Sequence, residues 1–143
     1  MSTRDKIPLP SDFNFLSQQQ LRFSDTDAVG HVNNAVFATL FEAGRVEVLF
    51  GPEHPKLSKN TQFVIAKLSI DFLGELNWPG NVMVGSNVSR VGNSSFDLFQ
   101  GMFVQDKCVA TCHSVIVVMD EITRRSSPLS VEVAKFYRSH LHA

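Results

Sequence analysis

The chain lacks an excess of charge of either sign. Its 143 residues carry 13 Lys and Arg against 14 Asp and Glu, a formal net charge of -1. A protein held on nucleic acid mainly by phosphate contacts needs a concentrated positive surface, so this balance argues against that class. Long apolar runs are missing too. No stretch approaches the roughly 18 apolar residues of a membrane-spanning helix. The N-terminal run MSTRDKIPLPSDFNFLSQQQ is polar and broken by proline, without the apolar core of a secretory signal. The expectation is a cytoplasmic protein with no membrane partner.

Cysteine is scarce: Cys108 and Cys112 are the only two. They lie in KCVATCHSVIVVM, which reads as a strand. Their Cα atoms are then about 13 Å apart, whereas a disulfide needs less than about 7 Å. Two reduced thiols on one strand face are expected, in keeping with a reducing compartment. No CxxC is present and no His stands at metal-ligand spacing from either Cys, so no metal site is expected. Trp and Tyr occur once each, while Phe occurs 12 times. The Phe residues spread from Phe13 to Phe136. They imply either a thick core or a role at a subunit contact or apolar ligand site, and both readings stand. Hydrophobic residues make up 43% of the chain and charged residues 19%, which describes a folded protein. Its length is that of one domain.

The periodicities divide the chain. Residues 1–16 form a loosely held lead-in, with Pro8 and Pro10 opposing regular structure. Residues 17–143 form a single domain. A short strand is expected at about 18–25, with Leu21 and Phe23 on one face. A turn follows at Asp25-Thr26-Asp27 and Gly30. Over 34–50, Phe37, Leu40, Phe41, Gly44 and Val48 fall on one arc of a helix, and the other sides are also largely apolar. Such a helix is buried. Asn33 or Asn34 suits its N-cap, and Gly51-Pro52 suits its end. Strands are then expected at 62–72, 81–91, 95–105 and 108–119, joined as an antiparallel meander. A final helix at 130–140 is capped by Ser130. One sheet face can cover one helix, and nothing remains to cover the other face or the edges. An α+β fold follows, a curved antiparallel sheet wrapped on a long central helix, in an obligate oligomer.

The chemistry concentrates in Arg22–Asn34, RFSDTDAVGHVNN, between a strand and the buried helix. A helix N-terminus presents unpaired N–H groups and partial positive charge. It can stabilise an oxyanion formed from a thioester carbonyl. A carboxylate just upstream can attack that carbonyl or activate water towards it. Gly30 permits the tight turn that aims one at the other.

These residues carry a resemblance. Asp25-Thr26-Asp27-x-x-Gly30-His31-Val32-Asn33-Asn34, then Phe41-Glu42-Ala43-x-Arg45 and Val91-Gly92-Asn93-Ser94-Ser95, resemble the hot-dog-fold acyl-CoA thioesterases of the 4-hydroxybenzoyl-CoA thioesterase branch. The resemblance spans about residues 18–140. It implies that Asp27 carries catalysis and that the Asn34 backbone N–H holds the thioester oxygen. It implies an acyl-CoA or acyl-carrier-protein thioester as substrate, water as acyl acceptor, no metal or organic cofactor, and a homodimer or homotetramer. Two positions depart from relatives: Phe23 stands where some have Tyr, and Asn34 where some have His. Asp27 then acts without a His base at the Asn34 position.

Other candidates stand beside Asp27. Glu42 is a rival nucleophile, because the other thioesterase branch uses a helix Glu two turns past the oxyanion amide. Its alternative is an ion pair with Arg45, within the chain or across subunits. His31 is a candidate for assisting catalysis, and Gly30 and Asn33 for shaping the loop that holds substrate. In relatives the hairpin around Ser94 and Ser95 borders the pantetheine and nucleotide. Ser94, Ser95, Arg90, Arg124 and Arg125 are therefore the candidates for binding coenzyme A. Two alternative functions remain: an enoyl-thioester hydratase or dehydratase using Asp27 and His31, and a non-catalytic acyl-CoA-binding protein.

Overall fold

The computed structural model describes residues 6–28 and 30–142. Five strands form one antiparallel sheet: β1 (Phe15–Gln20), β2 (Thr61–Phe72), β3 (Asn81–Val91), β4 (Ser95–Val104) and β5 (Lys107–Asp120). Helix α1 (Asn34–Leu49) lies against the sheet, and helix α2 (Val131–Ser139) closes the chain. Both helices start at the expected caps. The Asn33 side chain accepts a hydrogen bond from the Ala35 N–H, and the Ser130 side chain accepts one from the Val133 N–H.

The expected meander is only partly realised. The sheet order is β1-β3-β4-β5-β2. β3, β4 and β5 follow one another as hairpins, but β2 does not neighbour β3. β1 occupies that edge of β3, so the chain crosses over through residues 73–80 and β2 pairs with β5 instead. The first strand also differs. It runs Phe15–Gln20 and not 18–25; Phe23–Asp25 is a short 3-10 turn. Leu21 is buried, while Phe23 is exposed and stacks edge-on against Trp78.

The expected arc of α1 is the buried one. Phe37, Leu40, Phe41, Gly44 and Val48 all pack inward. The opposite side, with Glu42, Val46 and Phe50, stays exposed in the single chain, because one sheet covers only one helix face. The helix–sheet core has two apolar parts. Phe37, Leu40 and Phe41 pack with Leu21, Val82, Val84 and Met102; Val48 and Leu49 pack with Val88, Phe96, Leu98 and, from α2, Val133 and Tyr137. A polar layer separates them. The Arg45 guanidinium, on a residue only 3% exposed, donates to Gln100 Oε1 at 3.3 Å. Gln100 in turn donates to the Phe41 carbonyl and to Ser86 Oγ. Burial lowers the pKa of Arg45, opposed by Cys112 and Glu42. Among the described residues no ion pair joins Glu42 to Arg45.

The two cysteines do not share a face. Met102 pairs with Ala110 and Phe103 with Cys108, so Val109 is an extra residue in β5. A bulge reverses the alternation beyond it. Cys108 therefore joins Phe13 and Phe103, while Cys112 joins the cluster under α1. Both are buried free thiols, and burial raises both pKa values, that of Cys112 to about 11.

Part of the lead-in is built into the fold, its residues 1–5 lying outside the described residues. Phe13 lies over Gly85 and Gly101, where an added Cβ would meet its ring at 2.5 and 3.0 Å. Asn87 accepts from the Asn14 N–H and donates to the Asp12 carbonyl, tying that segment to β3.

Candidate active site

The loop between β1 and α1 is closed by its own backbone. The Asn33 N–H donates to the Asp25 carbonyl at 3.0 Å and the Asp27 N–H to the His31 carbonyl at 2.8 Å. Gly30, at φ +89°, makes the reversal between them. The Val32 N–H donates to the Leu76 carbonyl, which fastens the loop to the crossover after β2.

The two aspartates have different work. Asp25 is buried and accepts from the Arg22 N–H at 2.8 Å and from its guanidinium at 2.9 Å. Burial alone would raise its pKa, but the Arg22 hydrogen bonds and charge outweigh it, and the carboxyl is held below its ordinary value. Asp25 thus braces the loop. Asp27 is exposed, and its Oδ1 accepts from the His31 N–H at 3.2 Å.

A cavity of about 170 Å³ opens beside this loop, lined by Asp27, His31, Asn34, Phe37, Glu75 and Leu76 among others. Three of the expected residues, Asp27, His31 and Asn34, therefore come together. Asn34 is the first residue of α1, and no acceptor among the described residues takes its backbone N–H. Such an N–H carries the positive end of the helix. The His31 ring is held from the crossover, with Nδ1 2.8 Å from Asn77 Oδ1 and 3.7 Å from Glu75 Oε2. Glu75 and Asn77 are missed by sequence reasoning, since no motif or spacing links them to the loop. Gly30 and Asn33 shape the loop without lining the cavity.

The remaining expected residues lie elsewhere. Glu42 is two helical turns on, about 12 Å of rise past Asn34, on the exposed side of α1. Arg90 is engaged: it bonds Asp97 at 2.8 Å and Ser95 Oγ at 2.8 Å. Ser94 sits in the hairpin, where its carbonyl accepts from the Val118 N–H. Arg124 and Arg125 are exposed in the turn after β5, which the Asp120 carboxylate shapes by accepting from the Ile122 and Thr123 N–H groups. Among the described residues no group of three or more His, Cys, Asp or Glu could hold a metal ion.

A five-stranded antiparallel sheet packed on one long helix is the hot-dog arrangement. The family model of the thioesterase-like superfamily matches residues 21–136, and the chain belongs to that family. It is 27% identical over 117 residues to the uncharacterised protein YsmA of Bacillus subtilis (strain 168), covering 81% of this chain and 78% of that protein. It resembles a predicted thioesterase from Bacillus stearothermophilus, with a TM-score of 0.80 and 29% identity over 89% of this chain and 96% of that one. A thioesterase from Thermus thermophilus, complexed with coenzyme A and Zn, is similar at a TM-score of 0.76 and 26% identity, over 88% and 98% of the two chains.

Proposed function

We propose that this protein hydrolyses acyl-CoA thioesters to a carboxylic acid and coenzyme A. The observation that carries the reading is one cavity lined by both Asp27 and Asn34, the first residue of α1. The thioester carbonyl oxygen accepts from the Asn34 N–H. Negative charge growing on that oxygen meets the positive end of α1. Asp27 works on the carbonyl carbon, by direct attack or by taking a proton from an attacking water. The tetrahedral intermediate collapses, the C–S bond breaks, and the sulfur leaves as a thiolate that takes up a proton; on the direct-attack route water then cleaves the Asp27–acyl anhydride, which releases the acid and regenerates the Asp27 carboxylate. His31 holds the loop through its backbone and, through Asn77, fixes its own ring. The coenzyme A in the Thermus relative supports the choice of thiol.

The proposal includes a soluble homodimer or homotetramer. β2 is an edge strand that leaves Ile65, Leu68 and Phe72 exposed, and the outward face of α1 lacks cover as well. No described helix is long and apolar enough to cross a membrane.

The test is release of free thiol from a panel of acyl-CoA chain lengths. Asp27→Asn should lower turnover by roughly 100- to 10,000-fold, while Glu42→Gln should retain most of it. Equal rates in Asp27→Asn, with loss in Glu42→Gln, would transfer the catalytic role to Glu42. Loss of enoyl-CoA absorbance without thiol release would replace the hydrolase with a hydratase.

A further inference from the structure

The His31 ring is held in one orientation by the crossover after β2. His31 and Asn77 form an isolated antiparallel bridge, so their backbones run side by side. The Asn77 side chain then reaches the ring, with its Oδ1 2.8 Å from Nδ1. An amide oxygen only accepts, so Nδ1 carries the ring proton. The bond made at one ring nitrogen decides the state of the other. The neutral ring therefore keeps a bare lone pair on Nε2. No described residue bonds Nε2, and the partly exposed ring lies on the wall of the Asp27 cavity.

The surroundings suit a base that gains positive charge. Among the described residues, the charged side chains lining the cavity are Asp27, from the same loop, and Glu75, from the crossover. No described Lys or Arg lines it. Glu75 Oε2 lies 3.7 Å from Nδ1, beyond a hydrogen bond but close enough to face the charge of an imidazolium. The His31 backbone N–H donates to Asp27 Oδ1 at 3.2 Å, which sets carboxylate and imidazole on one short loop.

We propose that Asn77 is a positioning residue, and that the tautomer it imposes makes His31 Nε2 the base for the water of hydrolysis. The inference rests on the acyl-CoA reading above and selects its direct-attack route. Once Asp27 is acylated it has no free carboxylate to take a proton, and a second base is needed. The water gives a proton to Nε2 as its oxygen bonds the anhydride carbonyl carbon. The carbonyl electron pair moves onto the oxygen beside the Asn34 N–H. That pair returns, the bond from this carbon to the Asp27 oxygen breaks, and the acid separates from the carboxylate. Nε2 then returns its proton to solvent, which balances the proton taken up earlier by the thiolate. Glu75 offsets the charge on the ring in between.

Asn77 is exposed, so substitutions there spare the fold. The wild type is compared with Asn77→Leu, which removes the acceptor, and with Asn77→Asp, which keeps one. The first readout is nitrogen NMR of the neutral imidazole. Wild type and Asn77→Asp should carry the His31 proton on Nδ1, and Asn77→Leu should move it to Nε2. The second readout is thiol release from acyl-CoA. Losing the base slows the step after the thiol has left. Asn77→Leu should therefore release about one thiol per site in a burst, then turn over roughly 10- to 100-fold more slowly than wild type. Asn77→Asp should stay near the wild-type rate. A wild-type ring protonated on Nε2 would overturn the proposal, as would wild-type turnover in Asn77→Leu. Slow turnover without a burst would also overturn it, because Asn77 would then merely shape the loop that carries Asp27. Each of these outcomes leaves the hydrolase standing. Absence of thiol release by the wild type from every acyl-CoA would sink the hydrolase and the base role together.

Discussion

Replacing His54 should destabilise the protein more than removing the hydroxyl it binds. His54 Nδ1 lies 2.6 Å from the Pro55 carbonyl, and Nε2 lies 2.5 Å from the Tyr137 hydroxyl. A carbonyl can only accept, so Nδ1 carries the proton and Nε2 accepts from Tyr137. Tyr137 is fully buried and stacks on Phe96 with ring centroids 3.9 Å apart. In Tyr137→Phe the stack survives and half-buried His54 loses one donor, which costs about 1 kcal/mol. In His54→Leu the tyrosine O–H is stranded without an acceptor, which costs about 2–3 kcal/mol. The double variant has no stranded hydroxyl, so adding Tyr137→Phe to His54→Leu should restore stability. Urea unfolding of the four proteins at pH 7.5 measures this cycle. The pH dependence adds a second readout. Burial lowers the pKa of His54 below 6.5, against the opposing bond to Pro55. The unfolded chain then binds the proton first, so stability falls as pH drops from about 6.5 towards the folded value. One proton limits the slope to about 1.4 kcal/mol per pH unit. His54→Leu should lack this contribution. Strict additivity in the cycle, or the same acid slope in His54→Leu as in the wild type, would refute the assigned tautomer and the buried pairing.

Much of the fold was legible because it is encoded locally. Asn33 and Ser130 cap helices by bonding N–H groups two or three residues on, and such signals survive in any sheet arrangement. The arc from Phe37 to Val48 is a helix property and needs no partner to be seen. Sheet order is different. The alternation in β2 suits either edge, and only the capture of β3 by β1 decides that β2 pairs with β5. Nor does alternation reveal a bulge, so Val109 hides the reversal that separates Cys108 from Cys112. Leu21 and Phe23 misled for a related reason. Their spacing fits a strand, but the Leu21 N–H bonds the Gly80 carbonyl beyond the strand's end, and Phe23 turns outward. The site divides in the same way. Asp27, His31 and Asn34 belong to one short loop, and their convergence is local. Glu75 and Asn77 arrive from the crossover, which only the tertiary fold brings near His31.

Two further predictions concern charge and close packing. Asp97 accepts from Arg90 Nε at 2.9 Å and lies 3.0 Å from His113 Nε2. Burial would raise its pKa, but these partners hold it below its ordinary value. Its stabilising contribution is thus complete above about pH 4 and lost as pH falls through the folded value. Asp97→Asn should cost about 1–2 kcal/mol at pH 7, reduced because Arg90 and His113 are partly exposed, and progressively less as pH falls through the folded value. A pH-independent difference in urea unfolding would contradict the charge-based account. Gly44 tests the helix–sheet contact. An added Cβ would meet Val84 Cγ1 at 2.5 Å and Gln100 Nε2 at 3.1 Å. Alanine gains about 1 kcal/mol of helix propensity over glycine, yet overpacking a core costs about 1–3 kcal/mol. Val84 is fully buried and Gln100 is held at the Phe41 carbonyl and Ser86, so neither neighbour yields freely. The clash should win, leaving Gly44→Ala less stable than the wild type and Gly44→Val less stable still. A raised melting temperature in Gly44→Ala would mean that α1 can lift from the sheet at little cost, and that the polar layer around Arg45 does not fix its height.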